Sequence, residues 1–171
     1  MHRRQPLPRL WLMTDERQGD DLWTAIARLP RGAGIVFRHY SLPEPERRAL
    51  FERVKAAARE RGLILLAGGT ERWGGDGTHG RGRRLHGGLR TAPVHNMREI
   101  RAAERSGADA VFLSPVFATR SHPGAEPLGP LCFRALARRT ELPVIALGGM
   151  NADRARKLGA YGWAAIDAWS A

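Results

Sequence analysis

A glycine pair stands where an apolar run gives way to a capped helix, in Pro143-Val144-Ile145-Ala146-Leu147-Gly148-Gly149-Met150-Asn151. Between a strand and a helix start, glycines let a phosphate approach backbone N–H groups, with the helix dipole behind it. The same pair also suits a plain tight turn. Arg38 ends the apolar run Gly34-Ile35-Val36-Phe37. A guanidinium in that place is costly unless it meets an anion, so it contacts either a ligand or a carboxylate such as Asp15. The stretch from Ser114 to Gly124 gathers Thr119, Arg120, Ser121 and His122. Its hydroxyls and imidazole suit phosphate oxygens, and His122 is also a candidate proton shuttle. His79 and His95 each end or follow an apolar run and read either as acid–base groups or as hydrogen-bonded structural histidines. The expected phosphate contacts are therefore Arg38, Thr119, Ser121, Gly148 and Gly149, and the catalytic candidates are His122 and His95.

Metal chemistry is poorly provided for. There is no His-Glu-x-x-His motif, no Cys/His cluster and no pair of carboxylates with ligand spacing. No metal held by protein ligands is expected from the residues. Asp167, after the last apolar run, would repel a neighbouring phosphate and reads instead as the partner of an arginine.

The elements that must position these groups alternate between short apolar runs and amphipathic helices, the pattern of a parallel sheet. Runs fall at Leu10 to Met13, Gly34 to Arg38, Leu63 to Ala67, Leu89 to Val94, Ala110 to Val116, Pro143 to Leu147 and Trp163 to Ile166, with a short eighth near Asp76 to His79. A helix from about Asp21 carries Leu22, Trp23, Ile26 and Leu29 on one side. The next reads as opened by a Ser41/Glu44 capping box, striped by Leu50, Phe51, Val54, Ala57 and Ala58, and stopped by Gly62. Asn96 caps a third helix with Glu99 three residues on, Pro130 opens a fourth, and Asn151 caps a fifth that Gly159 stops. Eight runs with intervening helices predict a compact (β/α)8 TIM-type barrel, with helices missing after the third, fourth and eighth strands. The alternative is an open doubly wound sheet. In a barrel, every group named above lies on the loops at the carboxyl ends of strands, where reactive groups collect.

Composition narrows the function classes. At 171 residues the chain fits one domain spanning 1–171. The single Cys132 rules out an internal disulfide and a cysteine metal site. No apolar stretch reaches the roughly 18 residues of a membrane helix, and the start lacks the apolar core of a signal peptide. The expectation is a cytoplasmic protein with no membrane partner. The net charge of +11 is nearly all arginine, since Lys55 and Lys157 are the only lysines. It suits an anionic small molecule, or arginines spread over solvated helix faces, as with Arg47, Arg48, Arg53, Arg59 and Arg61. No basic-aromatic run of the single-strand-binding kind occurs, so nucleic acid is not the expected partner.

The combination Gly107-Ala108-Asp109, Ser114-Pro115-Val116-Phe117-x-Thr119 and Ala146-Leu147-Gly148-Gly149, preceded by His95 and its capped helix, resembles the thiamine phosphate synthase/TenI family. Leu12-Met13-Thr14-Asp15 is similar to that family's opening strand, and Arg38 to its pyrophosphate-binding arginine. The resemblance implies a (β/α)8 barrel of thiamine biosynthesis that binds thiazole phosphate or thiamine phosphate. Its synthases join a pyrimidine pyrophosphate to a thiazole phosphate with Mg²⁺ held by aspartates, so magnesium enters by resemblance alone. A homodimer is likewise implied only by analogy.

Departures from the family pattern concern the metal. The glutamine and lysine flanking its arginine fall on Val36 and Tyr40, and its asparagine–aspartate pair falls on Ala67 and Gly68. A second metal aspartate falls near Arg83 or Arg84, a lysine on His122, and a phosphate-binding serine near Asp167. The TenI branch needs no metal, but its tautomerase histidine falls on Pro115. The run from Leu113 to Gly129 also resembles the barrel module that follows a Nudix hydrolase in some fusion proteins. The resemblance therefore implies either a pathway enzyme or a non-catalytic phosphate-ligand-binding module partnered with a Nudix hydrolase.

Overall fold

Eight short strands pair in parallel, each with its neighbours in chain order, and the ring closes where Leu10 to Leu12 meet Trp163 to Ala165. The computed structural model describes residues 6–69, 73–82, 87–120 and 123–169. Its strands are β1 (Leu10–Met13), β2 (Gly34–Phe37), β3 (Ile64–Gly68), β4 (Gly77–His79), β5 (Leu89–Val94), β6 (Ala110–Leu113), β7 (Val144–Leu147) and β8 (Gly162–Ala165). The helices are α1 (Asp21–Arg28), α2 (Glu44–Arg61), α3 (Met97–Arg105), α4 (Gly129–Ala137) and α5 (Ala152–Leu158). Among the described residues no helix follows β3, β4 or β8, as the periodicity predicts; β8 leads into a single 3-10 turn, Asp167–Trp169. The open sheet is excluded by closure.

Alternation along the strands sorts the apolar side chains into three groups. Trp11, Met13, Val36, Leu66, Phe112 and Ile145 fill the barrel, with Trp11 edge-on to Phe112 at 5.2 Å. The Trp11 indole N–H donates to Pro8 O at 2.8 Å, which satisfies the N–H of that ring. Outside the ring, one cluster joins β1, β2 and β3 to α1 and α2, and another joins β5 to β8 to α3, α4 and α5. No described helix is long and apolar enough to cross a membrane.

Most helix ends match their sequence signals. Asn96 and Asn151 accept the N–H groups of Glu99 and Arg154 at 3.0 and 2.9 Å, and Gly62 and Gly159 adopt the left-handed conformation after α2 and α5. The Ser41/Glu44 capping box does not form. Pro43 precedes α2, and Ser41 turns its N–H and hydroxyl to Glu16 Oε1 at 3.0 and 2.9 Å. A carboxylate attracts both donors more strongly than the first turn of a helix attracts a hydroxyl.

Three of the helix-face arginines make specific contacts, while Arg48 and Arg59 are exposed. Arg47 is 7% exposed. Arg53 lies over the Trp23 ring at 4.6 Å. Arg61 reaches from α2 to the last carbonyls of α1, with Nε donating to Ile26 O at 3.1 Å and Nη2 to Leu29 O at 3.3 Å. Arg134 of α4 similarly donates to Leu158 O at 3.1 Å, at the end of α5. Arg61 and Arg134 both donate to carbonyls near the C-terminus of a neighbouring helix, the end that favours a cation.

Candidate functional site

A cavity of about 410 Å³ opens at the carboxyl ends of the strands, within the range of small-molecule sites. Arg38, His95, Thr119, Gly148 and Gly149 all line it, and Asp167 stands at its wall. Five of the seven residues expected from sequence thus share one cavity. The other two, Ser121 and His122, lie outside the described residues.

The glycine pair is required by close packing. Gly148 has φ of 98°, and a side-chain carbon there would stand 2.8 Å from Pro115 Cα; at Gly149, with φ of 60°, it would stand 2.7 Å from Ala118 O. The loop after β6 therefore lies directly on the turn, held by Val116 N–H to Leu147 O at 2.9 Å and Phe117 N–H to Gly148 O at 3.1 Å. The tight-turn reading and the ligand reading are compatible. No backbone carbonyl of a described residue accepts the N–H of Gly148 or Gly149. Helix α5 behind them is only seven residues long, so the backbone of the turn is the polar feature here.

Arg38 meets the Asp15 carboxylate, and it also lines the cavity. Its Nη2 meets Asp15 Oδ2 at 3.0 Å and its Nε donates to Thr14 O at 2.7 Å, while it still lines the cavity. Burial draws its pKa below the ordinary arginine value, against the opposing charge of Asp15. For Asp15, burial acts to raise the pKa, but hydrogen bonds from Arg17 and the charges of Arg38 and Arg17 bring it below the usual value. Thr14 Oγ1 accepts the N–H of Arg38 at 2.9 Å and pairs with His39 Nδ1 at 3.0 Å. His39 is buried with φ of 37°, its ring stacked on Phe37 at 5.0 Å. Asp167 pairs with an arginine as expected, Arg120 of the β6 loop, at 3.2 Å.

His79 is not part of the cavity. Its Nδ1 bonds Thr91 Oγ1 at 2.8 Å, its ring meets Phe112 at 4.8 Å, and burial aided by the charges of Arg38 and Arg90 lowers its pKa to about 3. It is the structural histidine of the two readings.

A family model described as thiamine monophosphate synthase matches residues 83–171. Over 181 aligned positions the chain is 30% identical to a putative thiamine-phosphate synthase 2 of Aquifex aeolicus, covering 94% of this chain and 96% of that protein. The chain belongs to the thiamine phosphate synthase/TenI family. It is also 33% identical over 152 residues to the thiamine biosynthesis bifunctional protein ThiM/ThiE of Symbiobacterium thermophilum, an overlap of 80% of this chain and 32% of that protein. Thiamine phosphate pyrophosphorylase from Pyrococcus furiosus has the same barrel fold, with a TM-score of 0.78 at 24% identity over 98% of this chain and 90% of that one.

The ends of β2 and β3 form a closed corner. Ala67 and Gly68 stand where the resemblance implies an asparagine–aspartate pair. A side-chain carbon at Gly68 would stand 2.5 Å from the Tyr40 hydroxyl and 2.7 Å from Phe37 O. Arg47 occupies the same corner. Its Nε donates to Arg38 O at 2.9 Å and its Nη2 to Gly68 O at 2.8 Å, with the guanidinium 4.7 Å from the Trp73 ring and 5.1 Å from that of Tyr40. A buried cation among aromatic rings is the reverse of a carboxylate cage, and it does not fit Mg²⁺. No three His, Cys, Asp or Glu of the described residues come together elsewhere. Arg83 and Arg84 lie outside the described residues.

Arg47 had a usable sequence signal: positions 47, 51, 54 and 58 form one stripe with Phe51, Val54 and Ala58, all buried. Glu99 had none beyond its role as a cap. In the structure it also holds His95, at 2.8 Å.

Proposed function

We propose that this protein binds a phosphorylated heterocycle of thiamine biosynthesis, thiamine phosphate or thiazole phosphate, in the cavity over β6, β7 and β8. The observation that carries this reading is the Gly148–Gly149 turn, which lines the cavity and whose N–H groups are engaged by no described backbone carbonyl. Phosphate sites in such barrels are commonly built after the seventh and eighth strands. Gly148 and Gly149 are the proposed phosphate contacts, with Thr119, Ser121 and Arg38 beside them. His122 remains a candidate from sequence alone.

Magnesium-dependent coupling to a pyrimidine pyrophosphate is not part of this reading, because the Tyr40–Arg47 corner disfavours a metal. The same corner favours a second reading, a phosphate-ligand-binding module without turnover. An assay for thiamine phosphate formation from both substrates, in Mg²⁺ and in EDTA, separates the two: sustained product would exclude the module.

Binding itself is tested by calorimetry with thiamine phosphate, thiazole phosphate and unphosphorylated thiamine. At least one phosphorylated ligand should bind ten times more tightly than thiamine, unchanged by EDTA. Equal affinity with and without the phosphate, or no binding, would end the proposal.

A further inference from the structure

One polar pair on the cavity wall takes no part in the phosphate grip. His95 directly follows β5, and Glu99 lies one helical turn later in α3. Glu99 Oε2 accepts the backbone N–H of His95 at 2.9 Å and meets its Nδ1 at 2.8 Å. Its other oxygen accepts from Arg81 Nη2 at 3.3 Å. Burial acts to raise the Glu99 pKa, but the hydrogen bond and charge of His95, together with the charge of Arg81, bring it below the usual value.

An ionised carboxylate can only accept, so the ring nitrogen facing it carries the proton. In the neutral imidazole this leaves Nε2 as a bare acceptor, and it has no hydrogen-bond partner among the described residues. The ring lines the cavity that holds the Gly148–Gly149 turn. Capping α3 requires only Asn96 and the backbone contact of Glu99, so the fixed imidazole exceeds what the helix needs. The other charged groups on the cavity wall are Arg38 and Asp167, with Arg81 behind Glu99.

We infer that His95, positioned by Glu99, is a specificity determinant whose Nε2 accepts a hydrogen bond from an amino or N–H group of the ligand. The inference rests on the functional reading above and sharpens it. The site takes a phosphorylated heterocycle bearing such a donor, as thiamine phosphate does on its aminopyrimidine ring, in preference to thiazole phosphate, which has none. A ligand that pairs with this fixed acceptor gains a hydrogen bond that an analogue without the donor forgoes.

The test is calorimetry at pH 8 with both ligands, on the wild-type chain and on His95→Phe and Glu99→Gln. Wild type should favour thiamine phosphate by about tenfold or more, the worth of one hydrogen bond. His95→Phe should erase that preference while leaving thiazole phosphate affinity unchanged. Glu99→Gln, which keeps the cap but presents an amide that can donate to Nδ1, should reduce it. ¹⁵N spectra of the wild type should show Nδ1 protonated and Nε2 bare, with Nε2 shifting when thiamine phosphate is added. Equal wild-type affinity for the two ligands, an equal loss of both in His95→Phe, or a protonated Nε2 would overturn the inference. Failure of both ligands to bind wild type would overturn the functional reading, and this inference with it.

Discussion

The two halves of the barrel use their strand ends in opposite ways. At the ends of β1, β2 and β3, polar groups bind one another: Thr14 to Arg38 and His39, Asp15 to Arg38, and Arg47 to the carbonyls of Arg38 and Gly68. At the ends of β5, β6 and β7, His95, Thr119 and the glycine pair line the cavity. The half that matches the family model, residues 83–171, is also the half with its strand ends open. One fold thus carries a closed corner and an open one, and the difference lies in a few side chains near the strand ends.

The sharpest way to break this comparison is Arg47→Ala. It removes the donor to one buried and one part-buried carbonyl, and stability should fall by about 3 kcal/mol in urea unfolding. Thiamine phosphate affinity should change less than threefold, since the closed corner does not hold the ligand; a tenfold loss would mean that the halves share one site.

Acid attacks the junction of the halves at His79, on β4 against Thr91 of β5. Its folded pKa, about 3, lies below the ordinary 6.5. The unfolded chain therefore takes up the proton first, and stability present above pH 6.5 is lost as the pH falls towards 3. The loss should approach about 3 kcal/mol by pH 4.5, at roughly 1.4 kcal/mol per pH unit. His79→Asn should flatten that slope; an unchanged slope would place the titrating group elsewhere.

In the open half, Gly149→Ala forces a side chain into the left-handed region and against Ala118 O. It should cost about 2 kcal/mol in stability and also weaken ligand binding, because the turn and the β6 loop must separate. Intact binding in the folded variant would remove the turn from the site. Arg38→Ala, at the border of the two halves, should weaken thiamine phosphate binding by about 1.5 kcal/mol, and unchanged affinity would assign Arg38 wholly to Asp15. The smallest effect is the most diagnostic. Exchanging Mg²⁺ for EDTA should leave the ligand-induced melting shift unaltered, and a shift that depends on the metal would mean that the closed corner opens.

What could be read from the sequence was what depends on near neighbours. Strand positions, the Asn96 and Asn151 caps, and the three missing helices follow from periodicity and local hydrogen bonding. So does the gathering of Arg38, His95, Thr119, Gly148 and Gly149, because barrel topology sends the end of every strand to one face. What could not be read depended on distant partners. Ser41 abandons its own helix for Glu16, 25 residues earlier in the chain. Arg47 shares a stripe with Phe51, Val54 and Ala58, but that spacing does not show the rings of Tyr40 and Trp73 around it. The Glu99 carboxylate serves a cap and an imidazole at once, and a spacing of four residues cannot announce the second task.

The arginines that tie helix to helix have a mechanical consequence. Arg61 fastens α2 to α1, and Arg134 fastens α4 to α5, while Thr140 bonds Glu104 at the end of α3 at 2.6 Å. The outer wall is thus two riveted panels, and β4, with no described helix after it, contributes no residue to either panel's apolar cluster. A shell of two stiff panels yields along its joint, so thermal opening should begin at the three-residue β4, and the cavity, which rests mostly on the second panel, should keep its shape until late.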